Sequence, residues 1–394
     1  MAGALAGIRV LDLSRVLGGP YCTQTLADHG ADIIKVEPPQ GDETRGWGPP
    51  FKDGLSAYFS GTNRNKRAIA IDIGNPAGRD VILRLLERAD VLVHNFRPGA
   101  LEKWGLGYDA VLKQRFPRLI LCHVTGFGAD GPLGGFLGYD AVVQAMTGLM
   151  SINGTPANGP TRMGTPIVDI GTGLIACNAI LAALIERFAS GLGQAIEVPL
   201  YDCAISMMHP QAANALMSGK VPVATGNGHP NIVPYDMFET RTGKLYLAVG
   251  NNGQFAKLCE VLDLVDVPGD ARFADNAARL AHRAEITRIL AERLAACDAH
   301  ALEPVLLRAG VPAGVVRNVS EALHHPHTHH RGMVVSVDGY RGTGVPARLS
   351  RTPGEVKIAP PRFAEHSRLV LREAGFAEGQ IDELTSAGVV RQGH

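Results

Sequence analysis

For roughly its first two hundred residues this chain alternates short apolar runs of strand length with longer runs of helical period, and that alternation leaves few folds open. IRVLDLS (Ile8–Ser14), DIIKVE (Asp32–Glu37), AIAIDI (from Ala68), VLVHNF (Val91–Phe96) and LILCHVTGF (Leu119–Phe127) read as buried strands. Pro20–His29 reads as a helix, and Asn75-Pro76 opens another that runs to about Ala89. QAIEVPLYD (Gln194–Asp202) reads as the last strand of this region. Strands joined through helices lie parallel and are covered on both faces, which is a doubly wound α/β sheet.

A Pro-, Gly- and Asn-rich stretch near Lys220–Pro234 reads as a linker. Beyond it, KLYLAV meets a glycine turn and then helical patterns up to about Ala309. HHPHTHHRG (His324–Gly332) marks a second boundary, followed by a short β segment, a Pro-rich connection and one helix, Phe363–Gly375. The expected organisation is a large domain over 1–220, a linker and small domain over 221–323, and a segment over 324–394 that completes the large domain.

Lys plus Arg and Asp plus Glu number 38 each, so the formal net charge is zero and a nucleic-acid partner is not indicated. The six cysteines stand singly, with no CxxC pair, as expected of reduced thiols in a cytoplasmic protein. MAGALAGIRVLDLS lacks a basic leader and reads as no signal peptide. The apolar run Leu174–Leu184 is too short to span a bilayer, so no membrane is expected.

One carboxylate interrupts the apolar stretch PIVDIGTGLIACNAILAAL: Asp169, before a helix-like run. An Asp at a helix start commonly caps it by accepting backbone N–H groups. The same setting suits a nucleophile, because a helix N-terminus and glycine N–H groups favour the ionised form and lower the pKa. Gly171 and Gly173 leave room for a substrate against the backbone. GNNGQF (Gly250–Phe255) reads either as a tight turn or as a mobile lid.

SRVLGGP (Ser14–Pro20) stands where a dinucleotide fold carries GxGxxG but lacks that spacing, which argues against a nicotinamide cofactor. The bunched histidines His324, His325, His327, His329 and His330 sit around a proline with no Cys or acidic ligand beside them. They read as a solvated surface turn rather than a metal site. Arg45, Arg64, Lys66, Arg67, Arg97 and Lys103 are candidates to meet phosphate, although most surface cations merely solvate.

Taken in order, VLDLSRVLGGPYCTQTLADHGADIIKVEPPQGDETR, NRNKRAIAIDI, VHNFRPG, LILCHVTGFGADGP, GYDAVVQAMTGLMS, PIVDIGTG, GNNGQF and VPAGVV resemble the class III CoA-transferase (CaiB/BaiF) family over essentially the whole chain. The resemblance implies a Rossmann-like large domain, a smaller α/β domain, an interlocked homodimer, and a C-terminal segment that returns to the large domain. It implies acyl-CoA and a carboxylic acid as substrates, with no permanently bound cofactor and no metal. Asp169 is then the nucleophile, which passes through a mixed anhydride and an aspartyl-CoA thioester.

CoA contacts are implied for Val16, Leu17, Gly18, Ile71, Asp72, Asn95, Phe96, Arg97, Gly138, Tyr139 and Asp140. Lys103 is implied at a phosphate position that is Arg in some relatives, and Pro38 stands where some members are basic. The lid is implied at Gly250, Asn251, Asn252, Gly253 and Gln254. Succinate and glutarate, formate and oxalate, or carnitine-type acids all occur as substrates in the family.

Two alternatives stay open. An α-methylacyl-CoA racemase of this family carries a His in a GHD-like stretch, where this chain reads Gly138, Tyr139 and Asp140. It also carries a Glu in the loop that here reads GNNGQF. Without those two groups the chain has no evident pair to take and return an α-proton. A non-catalytic acyl-CoA-binding protein is the alternative of another class.

Overall fold

Six parallel strands form the centre of the computed structural model, which describes residues 3–393. They are β1 (Arg9–Asp12), β2 (Asp32–Glu37), β3 (Lys66–Ile71), β4 (Val91–His94), β5 (Ile120–Thr125) and β6 (Ala195–Pro199), ordered β3-β2-β1-β4-β5-β6. This is the doubly wound order, in which the winding reverses between β1 and β4. Side chains alternate between two cores, as strand geometry requires. Leu11, Ile34, Val36, Ile69, Ile71 and Leu92 fill one, while Val10, Ile33, Val91, Val93 and Ile120 fill the other.

Helices cover both cores. Here α1 is Gly18–Asp28, α2 Pro76–Leu86, α3 Ala100–Lys103, α4 Asp140–Met146, α5 Ile167–Ser190 and α6 Gln211–Ser218. The α2 start is legible in sequence: Asn75 accepts from the Ala77 N–H, and Pro76 occupies the first turn. By length and composition alone, the 24-residue α5 is long and apolar enough to cross a membrane, contrary to the reading of a short run. Half of its most apolar stretch is buried, and its Arg187 is buried in an ion pair with Asp90 at 2.8 Å. That is the packing of a core helix.

The approach of α1 to α5 is set by glycines. A methyl at Gly173 would stand 2.6 Å from the Gly18 carbonyl oxygen, and one at Gly171 would stand 2.3 Å from Met207 Sδ. Both glycines are buried. They are packing residues, which corrects the expectation that they leave room for a substrate.

Beneath the β1–α1 turn lies a buried charge network. Asp12 accepts from Lys66 Nζ at 3.0 Å, from Thr23 Oγ1 at 2.6 Å and from the Ser14 N–H at 2.9 Å. Lys35 Nζ donates to Asp42 at 2.9 Å and to the Ser14 carbonyl at 3.0 Å. Burial pushes the Asp12 carboxyl up, but Lys66, Lys35 and the two hydroxyls outweigh it and hold it below the usual carboxylate range. Removing one member of such a set costs about 3–5 kcal/mol, because its partner is left charged and buried.

The chain divides into two compact units: 1–150 with 162–220 and 326–394, and 151–161 with 221–325. The segment 151–161 therefore belongs with the second unit, where the Gly226 N–H donates to the Gly154 carbonyl at 2.8 Å. The second unit contains β7 (Tyr235–Thr240), β8 (Gly243–Ala248) and β9 (Ala313–Val315) in an antiparallel sheet. It also contains α7 (Asn252–Val261), α8 (Arg283–Ala295) and α9 (Ala299–Ala309), packed around Phe238, Leu245, Phe255, Leu290 and Leu306.

The C-terminal segment forms two helices, not one: α10 (Ser367–Glu373) and α11 (Glu378–Ser386). Its strand β10 (Val390–Arg391) then adds antiparallel to β3. Four of the five bunched histidines lie in two short helices, Val319–His324 and Pro326–His330, and His325 joins them, rather than all standing in a turn.

Gly173→Ala should destabilise the protein by about 1–3 kcal/mol, because the added methyl meets backbone that cannot move aside. Urea unfolding measures this, and an unchanged midpoint would contradict the α1–α5 contact.

Candidate active site

Asp169 is the third residue of α5, and its local setting differs from the sequence reading. It does not cap the helix. The cap comes from Asp140, at the start of α4, whose Oδ2 accepts from the Val168 N–H at 2.8 Å and the Asp169 N–H at 3.2 Å. Gln144 Nε2 holds the other oxygen of Asp140 at 2.6 Å. Pro166, which precedes the helix, has no side-chain group to cap it.

The half-buried Asp169 carboxylate is thus left without a backbone donor, beside the buried carboxylate of Asp140. Burial and then Asp140 push its pKa up to about 7, the opposite of the lowering expected from a helix start. Tyr58 is pushed up to about 12 by burial and then by Asp169, Asp140 and Asp42, so its hydroxyl remains a proton donor in this neighbourhood.

Asp169 lines a cavity of about 120 Å³. Its walls are chain segments that leave the C-terminal ends of the strands: Val16, Leu17 and Gly18 after β1, Asn95, Phe96 and Arg97 after β4, and Gly126 after β5. Gly138 and Tyr139 close it from the start of α4. This is the point where strand order reverses, the place where open α/β sheets bind ligands. A methyl at Gly18 would stand 3.4 Å from Asp169 Oδ1, so the carboxylate lies beside the first turn of α1.

The β1–α1 turn is strained and clamped. Val16, a β-branched residue, has φ of 70°, in the left-handed region such residues avoid. Asn95 holds the turn from both sides: its Oδ1 accepts from the Arg15 N–H at 2.9 Å, and its Nδ2 donates to the Arg15 carbonyl at 2.7 Å. Asn95 therefore lines the cavity while its amide positions protein backbone.

A second cavity of about 360 Å³ adjoins the first and shares Arg15 and Phe96 with it. Ile71, Asp72, Pro38 and Trp104 line it. A sequence profile of CoA-transferase family III matches residues 5–367. The chain belongs to this family.

Its relatives and structural neighbours agree. It is 42% identical over 381 residues to the succinate–glutarate CoA-transferase of Agrobacterium fabrum, covering 94% of this chain and 95% of that protein. It is 38% identical over 395 residues to the human succinyl-CoA:glutarate CoA-transferase, covering 98% and 90%. A solved CaiB/BaiF family protein from Brucella suis superposes with a TM-score of 0.85 at 41% identity, covering 95% of this chain and all of that one. The chain is a class III CoA-transferase, which answers the racemase and binding-protein alternatives.

Within this transferase the site residues named from sequence separate into groups. Asp169, Val16, Leu17, Gly18, Asn95, Phe96, Arg97, Gly138 and Tyr139 share one cavity, and Ile71 and Asp72 line its neighbour. Asp140 lies behind the wall as a buried cap, while Lys103 is exposed on the last turn of α3 and lines neither space.

Four of the candidate phosphate-binding cations are committed to carboxylates instead. Arg45 pairs with Glu37 at 2.7 Å, Arg64 with Asp28 at 2.6 Å, Lys66 with Asp12 at 3.0 Å and Arg67 with Asp32 at 2.8 Å. In the second unit, Gly250 and Asn251 precede α7, whereas Asn252, Gly253 and Gln254 are helical. Asn251 caps α7 by accepting from the Gln254 N–H at 2.9 Å, and Gln254 Oε1 accepts from the Gly250 N–H at 2.8 Å. Sequence reasoning missed Arg15 and Tyr58. Arg15 adjoins Val16 in the same motif, but nothing local distinguishes Tyr58.

A folded-state pKa near 7 means that Asp169 binds more protons in the folded than in the unfolded chain, whose ordinary value is 3.8. Stability from this group therefore falls as pH rises from about 4 to about 7. The melting temperature of Asp169→Asn, relative to the parent, should rise across that window and level off above it. A difference independent of pH would mean that the carboxylate is solvated.

Proposed function

We propose that this enzyme moves CoA between small dicarboxylic acids through covalent intermediates on Asp169. The observation that carries the mechanism is a half-buried carboxylate with no backbone donor on the wall of the switch-point cavity, beside the first turn of α1. The names of the relatives carry the substrate class, since the Agrobacterium, mouse and human proteins are succinate–glutarate enzymes and a Haloarcula hispanica relative is a succinyl-CoA:mesaconate CoA-transferase.

Ionised Asp169 attacks the thioester carbonyl, the C–S bond breaks, and CoA leaves as thiolate with a mixed anhydride formed on the enzyme. The thiolate attacks the aspartyl carbonyl, giving an aspartyl-CoA thioester and releasing the donor acid. The acceptor carboxylate attacks that thioester, forming a second anhydride and freeing CoA thiolate again. The thiolate attacks the acceptor's carbonyl, which yields the new thioester and restores Asp169. Covalent relay divides one difficult exchange into easier steps. CoA enters as substrate throughout, and no step calls for a metal or a redox group.

Burial fits this chemistry in two ways. A half-buried carboxylate has lost part of the water that would blunt its attack, and closure over the site would keep the anhydrides from hydrolysis. The first turn of α1 presents its positive end toward the charge that develops on the attacked carbonyl. We place the enzyme in the cytoplasm, in keeping with six free cysteines. We also read it as an interlocked homodimer. Apolar side chains exposed on α4, α5 and α6, among them Met146, Phe188, Leu216 and Met217, support that assembly, which light scattering tests directly.

Asp169→Ala should lose CoA exchange almost completely while keeping the fold, and Asp169→Glu should also be poor because the attacking oxygen is displaced. Incubation with succinyl-CoA or glutaryl-CoA, followed by hydroxylamine or borohydride, should modify the Asp169 peptide alone in mass spectra. Substantial exchange by Asp169→Ala would sink the assignment.

GNNGQF is proposed as the lid over the aspartyl intermediates. A methyl at Gly250 or Gly253 would make only ordinary contacts, at 3.6 and 3.4 Å, so alanine fits the observed conformation. Slower turnover or increased hydrolysis in Gly250→Ala or Gly253→Ala would report a second, closed conformation. Unchanged exchange and hydrolysis in both variants would remove the lid role.

A further inference from the structure

Arg15 stands apart from the other buried and half-buried cations of the first unit. Its Nε is buried and has no hydrogen-bond partner. Among the described residues, the one carboxylate within 4 Å of its guanidinium is Glu43, at 3.8 Å, too far for a hydrogen bond, and both side chains are partly exposed. Arg45, Arg64, Lys66 and Arg67, by contrast, each hold a carboxylate at 3.0 Å or closer. Arg15 lines the same cavity as Asp169 without pairing with it. Its backbone is immobilised by the double clamp from Asn95 and by the strained turn at Val16. An ordered backbone, a buried free donor and a charge paired only at long range with Glu43 together describe a cation poised for a ligand oxyanion.

We propose that Arg15 is the specificity-determining residue that binds the remote carboxylate of the diacid while the reacting carboxyl faces Asp169; this rests on the dicarboxylate reading above. A diacid entering this cavity brings a second negative charge into a space already bordered by Asp169 and Glu43. Desolvating that charge is unfavourable unless a cation takes it. Two cations line the cavity, Arg15 and Arg97. Arg97 is exposed and already solvated, whereas Arg15 has a buried N–H that gains a partner only from a ligand.

Length also favours the acid over the CoA diphosphate. A cavity of about 120 Å³ holds a short carbon chain with both of its ends. The diphosphate is separated from the reacting sulfur by the whole pantetheine arm, far longer than this cavity is wide. Arg15 also borders the second cavity, so the diphosphate is the competing source of an oxyanion and the test separates the two.

The measurement is kcat/KM for succinate and glutarate against butyrate and valerate, monoacids of matching length, together with the Kd for CoA. Parent, Arg15→Gln, Arg15→Lys and Arg97→Gln are compared, with melting temperatures as a check on folding. In Arg15→Gln the preference for succinate over butyrate should fall by roughly 30-fold, carried mainly by KM, as expected for a lost charge-assisted pair. Arg15→Lys should recover part of it, and CoA affinity should fall far less than the diacid preference. Equal losses for diacid and monoacid with a matching loss of CoA affinity would assign Arg15 to the diphosphate and overturn the proposal. So would an unchanged preference, or a loss of preference confined to Arg97→Gln. A parent that does not prefer diacids would refute the underlying dicarboxylate reading, an outcome visible before any variant is made.

Discussion

The backbone contact between α1 and α5 is the constraint on which the rest of the site depends. Gly173 lets the two helices approach until a methyl on it would stand 2.6 Å from the Gly18 carbonyl oxygen. That approach brings the third residue of α5 against the first turn of α1. It places a carboxylate at the reversal point of the sheet, where loops from β1, β4 and β5 already converge. Neither helix could supply this geometry alone. The apolar faces that press them together, with Cys22 and Leu26 on α1 and Ala176, Cys177 and Ile180 on α5, belong to one continuous core.

Capping from a distance follows from the same arrangement. If Asp169 capped its own helix, its oxygens would be held by backbone N–H groups and its charge stabilised. Asp140 takes that role from α4, which frees Asp169 and sets a like charge beside it. Partial burial first, and then the carboxylate that caps its helix, raise Asp169 toward neutral pH. Charge deeper in the fold is treated in the opposite way: Asp12, Lys35, Asp42 and Lys66 satisfy one another under the β1–α1 turn and support the strained Val16 above them.

The strands were legible because their burial is local in pattern. DIIKVE is β2 residue for residue, and the first-domain strands appeared where apolar runs predicted them, with ends trimmed by a few residues. Charge partners were not legible, because they are remote. Asp140 lies 29 residues before the amide it caps, and Arg67 meets Glu373 from 306 residues away. A cation committed to such a partner looks the same in sequence as one free to bind phosphate. Asp169 lies on the switch-point cavity, but its pKa is raised where the sequence pattern implies lowering, since the locally expected cap is replaced by one from another helix. Gly171 and Gly173 were misread for a related reason: a glycine that admits a neighbouring helix and one that admits a substrate have the same letter.

Two groups on one cavity are left unsatisfied, and they are of opposite charge. No N–H is donated to the Asp169 carboxylate among the described residues, and the Arg15 Nε donates to nothing. Both side chains are half-buried, and pairing them would offset part of the cost of their partial desolvation. Here the Asn95 clamp and the turn at Val16 order Arg15 on one part of the wall, while the α1–α5 contact holds Asp169 on another. Keeping them apart costs folding stability and preserves both charges for a ligand. Unsatisfied groups within an otherwise well-paired interior are where function overrides local consistency. By that criterion the proposed reacting end, at Asp169, and the proposed recognition end, at Arg15, lie on different parts of one cavity wall.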